Sequence, residues 1–205
     1  MNTEKIPDII IGRLPIYLRA LQRMADKGIK TTSSQELGEH VGISAAQIRK
    51  DISQFGEFGK QGTGYSIQFL LDKLREILKV DRIWDIAVVG AGDMGHALAR
   101  YQGFANRGFR IVMVFDNDKT KVGQKIGEFT IEDSATMIEK IKAAGVKVAM
   151  LTVPASAAQS VAEKLVQAGI KGILNYSPVS LNMPSGVKVQ HIDPSTHLQR
   201  ITYYL

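Results

Sequence analysis

The chain contains no cysteine. Disulfides, thiolate nucleophiles and cysteine-bound metals are excluded together, and a reducing compartment is the expected setting. Histidine is scarce: His40, His96, His191 and His197 stand apart, with no H-x-x-x-H pair and no carboxylate at ligand spacing. No metal site is therefore expected. No apolar run approaches the roughly 20 residues needed to span a bilayer, and no charged-then-apolar leader opens the sequence. These features predict no membrane partner and a cytoplasmic location. What is present is ordinary globular material. The chain has 205 residues, 44% of them hydrophobic, enough for one sizeable domain or two small ones.

The formal net charge is +6. Residues 1–79 hold 12 Lys or Arg against 9 Asp or Glu, and residues 80–205 hold 14 against 11, so each part carries +3. Spread over fewer residues, the N-terminal excess is the denser, and it is consistent with a polyanionic partner there.

Two kinds of periodicity follow one another. Up to about residue 79 the apolar spacing is helical, with Ile10, Leu14, Leu18, Leu21 and Met24 in one stripe ended by Gly28. From residue 84 onward, β-branched runs at 86–89, 111–115, 146–153, 172–176 and 187–192 read as buried strands. Helical stretches at 95–107, 133–144 and 155–168 lie between them. Such alternation predicts a parallel sheet with helices on both faces. The boundary is expected at residues 79–83.

Within the N-terminal part, residues 33–56 read as two short helices joined at Gly42. Ser33 with Glu36 and Ser44 with Gln47 match capping boxes, and Leu37, Val41, Ile43, Ile48 and Ile52 point to a shared core. The second helix presents Gln47, Arg49, Lys50, Ser53 and Gln54, opened by Ser44. This is the polar, basic face that a recognition helix lays in the major groove. A solvated helix of a three-helix bundle would look the same. Residues 55–67 then form a glycine-dense segment with Lys60 at its tip and Gly62, Gly64 and Tyr65 behind it. A hairpin after a helix-turn-helix is the layout of a winged helix, whose wing follows phosphates. A plain surface hairpin is the alternative.

In the second part, Gly90-Ala91-Gly92-Asp93-Met94-Gly95 follows a strand and opens a helix through Tyr101. A lone G-x-G-x-x-G says little. Here a second strand follows and ends on Asp116, 21 residues past Gly95, near the spacing of the carboxylate that holds a ribose in dinucleotide sites. The helix N-terminus would face the pyrophosphate, and Asp116 would repel a 2′-phosphate, favouring NAD(H). Asp93 is expected to cap the helix and face away from the phosphates. A structural glycine turn is the alternative. Only 110 residues remain after Gly95, barely enough to finish the sheet, and no acid–base constellation accompanies it. No catalytic residue is therefore assigned. A small NAD-dependent oxidoreductase and a domain akin to CoA-binding ones stay open as competing readings.

The stretches at 13–21, 32–65, 88–98, 151–154, 169–178 and 191–193 together closely resemble the Rex family of redox-sensing transcriptional repressors over nearly the whole chain. The resemblance implies an α/β fold: an N-terminal winged helix-turn-helix domain plus a C-terminal Rossmann-like doubly wound parallel sheet, with a C-terminal domain-swapped helix. The corresponding segments are 1–79, 80–193 and 194–205. It further implies a homodimer bound to palindromic double-stranded operator DNA, released by NADH as inducing ligand, with NAD+ competing. Arg49 and Lys50 fall where the family's recognition helix meets DNA, and Lys60 to Tyr65 where its wing does. Arg19, Tyr101 and Asp193 match a trio that operates the switch in that family. Pro194 stands where the family often has an aromatic residue, and the terminal helix is shorter than in many relatives.

A sensor must tell NADH from NAD+, which differ by a hydride and one positive charge. A dry ring pocket would penalise the cation by desolvation. Val153, Pro154, Tyr176 and Pro178 are expected to line it.

Overall fold

The structure is a computed structural model that describes residues 6–56, 58 and 64–205. It divides into two compact units, Met1–Arg82 and Ile83–Leu205.

In the first unit the long helix α1, Asp8–Asp26, buries Ile10, Leu14, Tyr17, Ala20, Leu21 and Met24 along one face. Tyr17 takes a core place beside the expected stripe, while Leu18 is half-buried. Burial of side chains such as Leu14 and Leu21 contributes roughly 1.5–3 kcal/mol each. Next come a short strand β1, Thr31–Thr32, and helices α2, Ser34–Val41, and α3, Ala45–Ser53. The box at the start of α2 closes in both directions: Glu36 N–H donates to Ser33 Oγ, and the Glu36 carboxylate accepts the Ser33 N–H. At α3 only half forms, because Ser44 accepts the Gln47 N–H while the Gln47 side chain goes elsewhere. Strand β2, Tyr65–Ser66, pairs antiparallel with β1, and helix α4, Ile67–Leu78, closes the unit. Leu14, Leu21, Leu37, Ile48, Ile67, Leu70 and Leu74 meet in its core.

The second unit is a seven-stranded sheet. Strand β3, Trp84–Val89, leads through α5, Asp93–Arg100, and a 3-10 segment, Gln102–Arg107, to β4, Phe109–Asp116. A short antiparallel pair follows, β5, Lys125–Ile126, and β6, Phe129–Asp133. Then come α6, Met137–Ala144, β7, Val148–Leu151, α7, Ala155–Gln167, β8, Gly172–Asn175, β9, Lys188–His191, and the terminal helix α8, Pro194–Thr202. The strand order is β5-β6-β4-β3-β7-β8-β9, parallel throughout except at β5. Alternate residues of β3 serve opposite faces. Ile86 and Val88 join one apolar cluster, and Ala87 and Val89 join the other. Helices therefore cover both sides, as in doubly wound sheets.

Three expectations need correction, and a fourth falls largely outside the described residues. The helix expected over 95–107 breaks at Tyr101, whose extended backbone (φ −77°, ψ 108°) ends α5 and starts the 3-10 segment. The last strand is a mostly exposed edge, with only Val189 half-buried. Asp93 does not cap α5: Gly92 holds the cap position, with no side-chain cap bond. The wing lies largely outside the described residues, Lys60 and Gly62 included.

Candidate functional site

Strand order reverses around β3, which leads outward to β4 on one side and to β7 on the other. A crevice at the carboxyl ends of such strands is where open α/β sheets bind ligands. The glycine loop lies there. Gly90 has φ +105°, and a Cβ on it would fall 2.5 Å from the Thr152 carbonyl oxygen at the end of β7. Thr152 Oγ1 donates back to Gly90 O at 2.7 Å. A Cβ on Gly95 would fall 1.9 Å from Gly90 O. Both glycines are thus required by packing alone. Gly92 differs: a Cβ there would meet nothing within 4 Å. Its side of the loop is open, beside the uncapped N-terminus of α5, where backbone N–H groups and the helix dipole favour an anion. Ala91 is buried, while Asp93 and Met94 are exposed.

Asp116 ends β4 nearly buried, at 7% exposure. Its Oδ2 accepts the Ala91 N–H at 2.6 Å and its Oδ1 the Asp118 N–H at 2.8 Å, with Lys121 Nζ 3.5 Å from Oδ2. A carboxylate offers about four acceptor positions. Two are used by these main-chain donors, so acceptor capacity remains for a ribose hydroxyl.

Val153, Pro154, Tyr176 and Pro178 stand in the loops after β7 and β8. Ser177 stitches these loops together, donating from Oγ to Val153 O at 2.6 Å. Val153 and Tyr176 are half-buried, and Pro154 and Pro178 are exposed. Burial raises the Tyr176 phenol above its ordinary pKa. Beneath them Asn175 Nδ2 donates to Val179 O and lies 3.1 Å from His191 Nδ1.

Tyr101 is not brought to the glycine loop. It caps the opposite end of α5, roughly 12 Å along the helix at 1.5 Å per residue. There its ring packs edge-on to Phe104 at 4.9 Å and borders an open cavity of about 900 Å³ with Arg100, Phe109 and Phe129. Arg19 is exposed on α1 in the other unit. Asp193 caps α8 by accepting the Ser195 N–H at 2.9 Å, and hydrogen bonding from Ser195 holds its carboxyl below the usual range.

On α3, Arg49, Lys50, Ser53 and Gln54 are exposed, as is Ser44 at its cap. Arg49 Nη1 donates to Ser34 Oγ at 3.2 Å, tying it to the start of α2. Gly64 and Tyr65 are half-buried. Tyr65 packs against the core, and a Cβ on Gly64 would fall 2.6 Å from Thr32 O.

The residue that sequence reasoning missed is Asp51. It is 0% exposed on the inner side of α3. Arg13 donates to both its oxygens, at 2.5 and 2.7 Å, Tyr17 Oη at 2.7 Å and Gln47 Nε2 at 2.6 Å. Burial works to raise its pKa, but bonds from Arg13, Tyr17 and Gln47 outweigh it and hold the carboxyl below the usual range. Burial, reinforced by the bond to Asp51, pushes the Tyr17 phenol well up, so it remains a donor. The only hint was position: Asp51 sits beside Ile52 and three residues after Ile48, on the apolar face.

A helix-turn-helix unit and a parallel sheet with a glycine loop at its switch point define a nucleotide-binding α/β protein with a DNA-binding-type module. Family comparison agrees part by part. Residues 81–179 match a CoA binding domain and residues 5–53 a putative DNA-binding protein N-terminus. The redox-sensing transcriptional repressor Rex of Chloroflexus aurantiacus is 50% identical over 199 residues, covering 97% of this chain and 94% of that protein. The crystal structure of RSP with beta-NAD+ and operator DNA is similar at TM-score 0.92 and 35% identity, covering 97% and 92% of the two chains. RSP with beta-NADH is similar at TM-score 0.89 and 33% identity, covering 98% and 94%. The chain belongs to the Rex family of redox-sensing transcriptional repressors.

Proposed function

We infer that this protein binds operator DNA as a homodimer and leaves it when NADH binds, so that transcription follows the NADH/NAD+ ratio. NADH is the inducing ligand and NAD+ its competitor; neither is consumed, and the protein is a regulator, not an enzyme. The observation that carries this reading is the glycine loop held at the switch point with its Gly92 side open. A palindromic duplex is the partner that suits two copies of α3, with Arg49, Lys50, Ser53 and Gln54 outward and Lys60, Gly62, Gly64 and Tyr65 in the wing. Val153, Pro154, Tyr176 and Pro178 form the ring side of the cofactor site. Arg19, Tyr101 and Asp193 serve as the relay, and segment 194–205 as the swapped dimer contact. Location with its DNA partner puts the protein in the cytoplasm.

Linkage sets the demand. Moving the DNA-competent population from about 99:1 to 1:99 needs roughly 10⁴-fold differential affinity between the two states, and operator DNA must weaken NADH binding by the same factor. The decisive experiment is a gel shift on a palindromic operator, titrated with NADH and NAD+ in parallel. Release by NADH at concentrations where NAD+ leaves the complex intact is expected. Equal response to the two forms overturns the reading.

A further inference from the structure

Resting on the DNA-binding reading above, we propose that Gln47, half-buried at the edge of the polar face of α3, recognises an exocyclic amino group in the major groove, with adenine preferred, because the buried Asp51 fixes the orientation of its amide. The carboxylate of Asp51 has about four acceptor positions, and four donors reach it: Arg13 Nε and Tyr17 Oη on Oδ2, Arg13 Nη2 and Gln47 Nε2 on Oδ1. An ionised carboxylate only accepts hydrogen bonds. The group of Gln47 that meets it at 2.6 Å must therefore be the NH2. Reversing the amide would set a carbonyl oxygen against a buried anion and leave a charged lone pair empty.

The amide is thus oriented before DNA arrives. Oε1 accepts nothing among the described residues, and one hydrogen of Nε2 remains after the bond to Asp51. Adenine matches that pair, with N6–H2 donating to Oε1 and N7 accepting from Nε2. Cytosine N4–H2 satisfies Oε1 alone. Guanine N7 or O6 and thymine O4 can accept from the remaining Nε2 hydrogen alone and leave Oε1 without a donor, so each makes one bond where adenine makes two. A free glutamine can rotate its amide to suit either class of base. This one loses its strongest hydrogen bond by doing so, which converts a tolerant side chain into a selective one. Asp51 touches no base and acts as a positioning residue.

The test begins by enriching duplexes from a randomised library with the full-length protein. Binding is then measured for wild type and Gln47→Met on duplexes in which each adenine is replaced by purine and each cytosine by 2-pyrimidinone, both lacking the amino group. One position in each half-site should lose roughly tenfold affinity for wild type and nothing further for Gln47→Met. Asp51→Asn, which lets the amide turn, should narrow the preference at that position alone and leave the others intact. Should this variant unfold, the Gln47→Met comparison decides the matter by itself. Specific duplexes with no position coupled to Gln47, or coupling only at guanine or thymine, would overturn the inference and leave DNA binding standing. Failure to enrich any duplex would take down the DNA-binding reading itself.

Discussion

The main-chain N–H of Ala91 donates to the Asp116 carboxylate at 2.6 Å, joining the glycine loop after β3 to the end of β4. Asp116 therefore holds the loop in shape, a role separate from the ribose contact proposed for it. Asp116→Ala should weaken NADH binding at least tenfold, since a buried donor left unpaired costs about 1–3 kcal/mol. Operator binding without cofactor should persist. Titration of intrinsic fluorescence with NADH, beside a gel shift, checks both; loss of both activities would indicate misfolding instead.

The glycines of the loop should separate under mutation. Gly95→Ala drives a methyl into Gly90 O, where a Cβ would lie at 1.9 Å, and should lower stability by about 1–3 kcal/mol or more. Gly92→Ala has space around it and should leave Tm within a degree or two, yet reduce NADH affinity by filling the approach to the pyrophosphate. Calorimetry and NADH titration of both variants would test this. A Gly92→Ala protein that binds NADH normally removes the pyrophosphate from that side of the loop.

The Asp51 cluster predicts an acid-sensitive N-terminal unit. Its carboxyl is held below the usual range, so the stability it provides is complete above the unfolded value of ~3.9 and is lost as pH falls through the lower folded value. Tyr17→Phe removes one donor and little volume, raising the folded pKa toward the unfolded one. That variant should lose about 1–3 kcal/mol at neutral pH, and less further stability than wild type on acidification. Urea unfolding at a series of pH values measures both slopes, and parallel slopes would remove Asp51 from the account.

Tyr101 lies over Gly103, where a Cβ would fall 2.4 Å from the phenol oxygen. Gly103→Ala should push the ring aside and reproduce Tyr101→Phe: NADH binds, but release from DNA is impaired. Both variants should show near-normal NADH titrations and a gel-shift response displaced by tenfold or more. A normal response in both excludes Tyr101 from the relay.

Much of this was legible in the sequence, for identifiable reasons. Strands such as Trp84–Val89 and Phe109–Asp116 are buried on both faces, so apolar runs mark them. The pair Lys125–Ile126 and Phe129–Asp133 went unseen because each strand has one fully buried residue, Ile126 and Ile131, and no run forms. Strand Thr31–Thr32 is two residues long and defined only by its partner. The glycine loop could be read because its glycines, the strand before it and the helix after it are contiguous in the chain. Thr152, which locks it, lies 62 residues from Gly90, and Asp51 lies 38 from Arg13. Contacts at such separations leave no trace in spacing.

The terminal helix Pro194–Thr202 has no buried residue, and Leu198, Ile201, Tyr203, Tyr204 and Leu205 are exposed. Nine residues are too few to hold a helix in water unaided, so its order must be supplied by a surface that covers those side chains. In the homodimer proposed above, with segment 194–205 as its swapped contact, that surface would be the sister subunit, and mass action would then enter the redox response. A cell that makes fewer copies would own not just less repressor but a softer one, whose tails fray and whose threshold for letting go of DNA moves with abundance.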